Sequence, residues 1–211
     1  MLKGILLLGP TGVGKSPLGD LLEEVGLFGY KCLHFDFGRE LRAIAKGAHR
    51  YDILPSEQIF IKKVLEEGLL LENEHFYLAE KILTSFLKAK NFSGREIIIM
   101  NGLPRHQGQA KALAKKIFIP LVVTIEASFE EILERIHRDI GGDRKGRDDD
   151  YIELIYRKWQ TYKKRTRPLR EYYKNKGAKI LKLIVGRLTT PQETLALLQE
   201  KITAEKILGN L

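Results

Sequence analysis

The residues best placed to do chemistry lie near the start of the chain. Gly9, Gly14, Lys15 and Ser16 form Gly-x-x-x-x-Gly-Lys-Ser, with Pro10, Thr11, Gly12 and Val13 between the glycines. Glycines allow a tight turn in which successive N–H groups point inward at an anion. A helix beginning at Lys15 adds its dipole and its unpaired N–H groups at the same spot. In this pattern the lysine reaches terminal phosphates and the serine hydroxyl meets a divalent cation. Pro17 suits the first turn of a helix, where a missing N–H costs nothing. The bland alternative is a Gly-rich turn with no ligand. The context favours the phosphate reading, because the apolar run Ile5–Leu8 precedes the loop as a buried strand would.

The rest of the chain must position that loop. Alternating apolar runs and amphipathic stretches predict strands at 5–8, 30–35, 96–100, 120–125 and 179–185. Helices are predicted at 15–25, 38–48, 55–65, 72–90, 108–117, 128–140, 149–176 and 191–208. The 149–176 stretch should kink before Pro168. Ser128 and Glu131 have the spacing of a capping box, and Thr190 is placed to cap the last helix. Strands alternating with helices predict an α/β fold with a five-stranded parallel sheet covered on both faces, the three-layer P-loop sandwich. Ligands of such sheets bind at the carboxyl ends of the strands. Gly9–Ser16, Asp36–Arg42 and Asn101–Arg105 fall there.

Composition sets the bounds. With 211 residues, 44% hydrophobic and 30% charged, the chain is long enough for one sizeable core. Cys32 is the one cysteine, which excludes an internal disulfide framework and a Cys-rich zinc site and fits a cytoplasmic location. The apolar start is too short for a membrane span and runs straight into the phosphate loop, so it is not read as a signal peptide. His34, His49, His75, His106 and His137 show no metal-ligand spacing. A net charge of +9 attracts polyanions. Residues 134–176 hold 14 Lys/Arg against 8 Asp/Glu, so most of the excess is there. Tyr151, Tyr156, Trp159 and Tyr162 interleave that charge, at a spacing more readily explained by packing.

Taken together, these motifs resemble the nucleoside monophosphate kinases, adenylate kinase most closely, over nearly the whole chain. Asn101-Gly102-Leu103-Pro104-Arg105 with Gln109 is similar to the family's Asp-Gly-aromatic-Pro-Arg-x-x-x-Gln. Gly146-Arg147-Asp148-Asp149-Asp150 is similar to its Gly-Arg-x-Asp-Asp. Tyr162 to Pro168, with Tyr172 and Tyr173, is similar to its Tyr-x-x-x-Thr-x-Pro and following aromatic pair. The stretch His34–Ala43 lies where the family has Ser-Thr-Gly-Asp-Leu-Leu-Arg-Ala.

The resemblance implies a single domain with three parts. These are a core (1–36, 79–138, 150–211), a helical monophosphate-binding arm (about 37–78) and a short lid (about 139–149). It implies ATP, held with Mg²⁺ by Gly9–Ser16, and a nucleoside monophosphate as substrates of a monomer. It further implies that Arg42 and Arg105 clamp the acceptor phosphate beside Asp36, Phe37, Gly38 and Gly102. Gln109 reads the acceptor base. Arg138 covers the donor base, with Arg135 as the alternative. Arg147 swings onto the transferring group, Asp149 and Asp150 orient the lid arginines, and Arg157 serves if the helix rotates.

Several positions depart from the family pattern. Asn101 stands where an aspartate holds Mg²⁺-bound water, Asp36 replaces a serine, Phe37 a small hydroxyl residue and Arg39 an acid. Lys158 replaces a second clamping arginine. Two other readings follow from these changes. One is a P-loop kinase of a hydroxyl-bearing small molecule, with Asp36 as base or alternative Mg²⁺ ligand. The other is a non-catalytic nucleotide- or RNA-binding protein using the basic 134–176 segment; nucleic acid is the less favoured ligand.

Overall fold

The computed structural model describes residues 2–48, 51–145, 147 and 150–204. His49, Gly146, Asp148, Asp149 and the stretch up to Leu208 expected in the last helix lie partly or wholly outside them.

Five parallel strands form one sheet in the order β2-β3-β1-β4-β5. They are β1 (Leu2–Leu8), β2 (Cys32–Asp36), β3 (Ile97–Asn101), β4 (Ile117–Glu126) and β5 (Lys179–Ile184). The helices are α1 (Lys15–Val25), α2 (Phe37–Ala45), α3 (Pro55–Glu66), α4 (Phe76–Ala89), α5 (Gln107–Leu113), α6 (Phe129–His137), α7 (Ile152–Thr161), α8 (Leu169–Lys174) and α9 (Pro191–Ala204). The α/β sandwich expected from the strand–helix alternation is the observed fold.

The central strand shows why both faces are covered. In β1, Leu6 and Leu8 join the core on one face, with Phe35, Met100 and Val122. Ile5 and Leu7 join the core on the other, with Leu18, Val123 and Leu198. Successive side chains of a strand point to opposite faces, so a continuous apolar run demands helices on both. After β1 the chain passes to β2 and β3 on one side and then crosses to β4 on the other. The order therefore reverses at the carboxyl end of β1, where a crevice must open.

Several boundaries differ from the sequence expectations: β1 begins at Leu2, β2 at Cys32, α2 ends at Ala45 and α6 at His137, and other differences have a local physical cause. Helix α5 ends at Leu113, and β4 begins at Ile117 and runs through Pro120. A proline is tolerated there because the register with β1 shifts between Lys3↔Phe118 and Ile5↔Leu121 and the β5 pairing starts only at Leu121. Asp36, as expected, ends the second strand, and it also caps α2 by accepting from the Arg39 N–H at 3.0 Å. The 72–90 helix begins with a 3₁₀ turn, Asn73–His75, before α4. The 149–176 helix is broken into α7, a π-helical turn at Tyr162–Thr166, and α8. Pro168 has no N–H for the carbonyl four residues back, and the turn before it widens so that the Arg167 N–H reaches the Tyr162 carbonyl at 2.8 Å.

The caps are as read. The Ser128 hydroxyl accepts from the Glu131 N–H at 3.1 Å while Glu131 accepts from the Ser128 N–H at 2.7 Å. The Thr190 hydroxyl accepts from the Glu193 N–H at 3.2 Å.

Candidate active site

One cleft opens at the carboxyl ends of β1, β2 and β3. The phosphate loop forms its floor. Gly12 and Gly14 have φ of +78° and +101°, in the left-handed region that favours glycine. A Cβ on Gly9 would fall 2.7 Å from the Ile125 carbonyl oxygen, so the loop could not close with any larger residue. No side chain caps α1 at Gly14, which leaves its first N–H groups facing the loop. The Lys15 ammonium folds back over the loop and donates to the carbonyl oxygens of Gly9 at 2.7 Å and Pro10 at 2.6 Å. Desolvation by the surrounding loop, with the Arg105 charge nearby, pushes its pKa down to about 7.

Beside the lysine, three side chains from three elements meet. The Ser16 hydroxyl donates to Asp36 Oδ2 at 2.5 Å, and Asn101 Nδ2 donates to the Ser16 hydroxyl at 3.1 Å. Asp36 and Asn101 are register partners on β2 and β3. Burial pushes the Asp36 pKa up. The His34 ring, the Ser16 hydroxyl, the Arg39 N–H and the Arg42 charge outweigh it and hold the carboxyl below its usual range.

The walls are cationic. Arg42 from α2, Arg105 after β3, Arg144 and Arg147 from the 139–149 segment, and Lys158 from α7 all line the cleft with Lys15. Arg105 is held on several sides. Its Nε donates to the Gly102 carbonyl at 3.0 Å, its N–H to Gln109 Oε1 at 2.7 Å, and its carbonyl accepts from the Thr166 hydroxyl at 2.7 Å. Asp150 accepts from Arg144 Nη1 at 3.1 Å and lies 3.9 Å from Arg147 Nε. Asp143 lies 3.4 Å from Arg144 Nε and 3.7 Å from Arg147 Nη1. Asp149 is outside the described residues.

Not every expected residue reaches the cleft. Arg138 is half-exposed and pairs with Glu134 at 2.8 Å. Arg135, one helical turn earlier, is the buried one. It donates to the carbonyls of Gly186 at 2.7 Å and Thr189 at 2.8 Å, and a Cβ on Gly14 would lie 3.0 Å from its Nη2. Arg157 points away and donates to the Glu67 carbonyl at 3.3 Å, while its neighbour Lys158 lines the cleft. Gln109 is buried, with its amide N–H donating to the Leu71 carbonyl at 2.9 Å. Phe37, named with the acceptor site, is instead buried in the core with its ring 5.9 Å from that of Phe35. Sequence reasoning gave no site role to Asp143, Arg144 or Thr166. The first two sit in a polar loop whose path no periodicity fixes. Thr166 belongs to the Tyr162–Pro168 motif, and its hydroxyl is the signal that points to it.

A P-loop between a buried strand and a helix, facing a ring of cations at the switch point of a parallel sheet, defines the P-loop phosphotransferase class. Comparison with known proteins narrows it. An adenylate kinase of Leptospira biflexa is 30% identical over 191 residues, spanning 88% of this chain and 92% of that one. An adenylate kinase of Thermus thermophilus is 29% identical over 200 residues, spanning 92% and 94%. UMP-CMP kinase 1 of Oryza sativa is 30% identical over 175 residues, spanning 82% and 64%. No family model matches the chain. The chain belongs to the nucleoside monophosphate kinase family, close to adenylate kinase, and is an enzyme of that kind. Among the described residues, no helix is long and apolar enough to cross a membrane.

Proposed function

We propose that this enzyme moves the γ-phosphoryl group of ATP to AMP, giving two ADP. The observation that carries the reading is the convergence of Lys15, Arg42, Arg105, Arg144, Arg147 and Lys158 on one cleft above the phosphate loop. Two anionic substrates can be brought together only where their charge is matched, and phosphoryl transfer asks the protein mainly for positioning and charge stabilisation.

In the step itself, an oxygen of the acceptor phosphate bonds to the γ-phosphorus as the bond from that phosphorus to its β-bridging oxygen breaks. The acceptor is already ionised at neutral pH, so no side chain has to remove a proton. The N–H groups of Gly9–Ser16 and the Lys15 ammonium bind the donor phosphates. Arg42 and Arg105 hold the acceptor phosphate in planar, two-pronged fashion. Arg144 and Arg147 meet the charge that spreads over the transferring oxygens. The segment at about 37–78 acts as acceptor arm and that at 139–149 as lid, excluding water that would otherwise accept the group. Arg135 rather than Arg138 flanks the donor, since its guanidinium is the one beside Gly14.

Mg²⁺ bound with ATP would neutralise part of the β- and γ-phosphate charge. The Ser16 hydroxyl and the Asn101 amide, joined by a hydrogen bond at the strand ends beside an ionised carboxylate, fit such an ion. The enzyme acts as a monomer in the cytoplasm.

The choice of AMP over other acceptors is tested by measuring ATP consumption with Mg²⁺ against AMP, CMP, UMP, GMP and dTMP, with a no-acceptor control. AMP should give the highest kcat/KM. Preference for CMP or UMP would reassign the base, and flat traces with all five would overturn the reading.

A further inference from the structure

We propose that Asp36, at the end of β2, supplies the carboxylate that holds the metal of the metal–nucleotide complex, the place the family pattern gives to the residue at position 101 on β3. The inference rests on the reading of the cleft as an ATP site and concerns which of this chain's residues faces the ion.

Three observations support it. First, Asp36 and Asn101 are direct register partners on neighbouring strands, so a carboxylate moved from one to the other stays at the same sheet edge. Both side chains contact the same Ser16 hydroxyl, Asp36 at 2.5 Å and Asn101 at 3.1 Å. The acid at this hydroxyl thus comes from β2, and β3 presents an amide to it.

Second, the Asp36 carboxylate is held in place. Its Oδ1 accepts from the Arg39 N–H at 3.0 Å, which fixes the side chain as the cap of α2 and leaves Oδ2 toward Ser16. A carboxylate bonded to the Ser16 hydroxyl beside the phosphate loop lies where a divalent cation on the phosphates would meet it. Mg²⁺ takes one or two carboxylates plus phosphate oxygens and water, rather than a cage of protein ligands. Consistent with this, no group of three or more His, Cys, Asp or Glu side chains able to hold a metal occurs among the described residues.

Third, the Asn101 amide is itself held between the Ser16 hydroxyl and a fixed histidine. Its Nδ2 lies 3.4 Å from His34 Nε2, while His34 Nδ1 lies 2.8 Å from Asp20 Oδ1. Asp20 is gripped in turn by both terminal nitrogens of Arg39, at 2.7 and 2.6 Å. The nearest acid to the His34 ring is therefore Asp20, and its carboxylate is already occupied by Arg39.

The test reads metal and nucleotide binding, not turnover. ADP affinity is measured by calorimetry with and without Mg²⁺, and Mn²⁺ affinity of the ADP complex by electron paramagnetic resonance. Asp36→Asn keeps the α2 cap and should lower Mn²⁺ affinity by about tenfold or more, with metal-free ADP affinity retained. Asp36→Asn/Asn101→Asp, which returns the acid to β3, should recover most of the loss. Unchanged metal affinity in Asp36→Asn overturns the proposal, even if turnover falls, because that pattern belongs to a catalytic base. Loss of metal-free ADP binding in that variant also overturns it, by assigning Asp36 a structural role. If the variant does not fold, the wild-type protein with ¹³C-labelled aspartate carboxylates decides. A ¹³C coupling to Mn²⁺–ADP that survives Asp143→Asn supports Asp36, and its absence refutes it. Failure of the wild-type protein to bind ADP at all would instead sink the ATP-site reading.

Discussion

The Lys15 ammonium donates to the carbonyl oxygen of Pro10 at 2.6 Å, five residues back along its own loop. Backbone oxygens of its own loop thus fix where this cation stands.

That arrangement has a pH signature. Burial, the largest cause, pushes the Lys15 pKa down from the ordinary 10.5 to about 7. Polyphosphate favours its charged form, so nucleotide binding should take up a proton between pH 7 and 10. The ADP affinity should fall above pH 7 by at most about tenfold per pH unit. Calorimetry in buffers of differing ionisation enthalpy counts the proton. The sign for folding is opposite to that of a paired lysine. The unfolded chain binds this proton more tightly, so this group's contribution to the stability of the empty protein rises from pH 7 to about 10.5. Lys15→Met should raise the melting temperature at pH 6 while weakening ADP binding.

Arg105 is positioned through its backbone as well as its side chain. Arg105→Ala should lower kcat/KM on the order of 10²-fold, mostly through the acceptor. Thr166→Val keeps the shape but removes the donor to the Arg105 carbonyl. It should cost about 1 kcal/mol in denaturant unfolding and raise the acceptor KM, with the ATP KM little changed.

Arg135 and Arg138 should behave differently although they are three residues apart. Arg135→Ala strands the carbonyls of Gly186 and Thr189 and opens a hole beside Gly14. A loss of about 2 kcal/mol or more, with weaker ATP binding, is expected. Arg138→Ala removes a half-exposed pair and should leave the unfolding midpoint and the ATP KM unchanged. Equal effects in the two variants would contradict the geometry.

Gly19 is fixed by His34. A Cβ there would lie 2.3 Å from His34 Nε2, inside the ring's own volume. Gly19→Ala should cost about 1–3 kcal/mol by overpacking. It should also disturb the Asp20–His34–Asn101 contacts, read as a shift in the His34 ring resonances.

Much of this enzyme was legible in one dimension. The apolar run before Gly9, the glycine spacing and Lys15-Ser16 determine the phosphate loop, because a buried strand, a tight turn and a helix start are all local demands of the chain. The same holds for the alternation that implies a parallel sheet and for the Ser128 and Thr190 caps. Two things needed the folded molecule. Which of two arginines on one helix turns inward depends on its rotation against β5 and the loop at 186–189, and a local pattern cannot fix that angle. Asp36, Ser16 and Asn101 are separated by up to 85 positions in sequence. Only the pairing of β2 with β3, and of β3 with β1, brings a carboxylate, a hydroxyl and an amide to the same point at the sheet's edge.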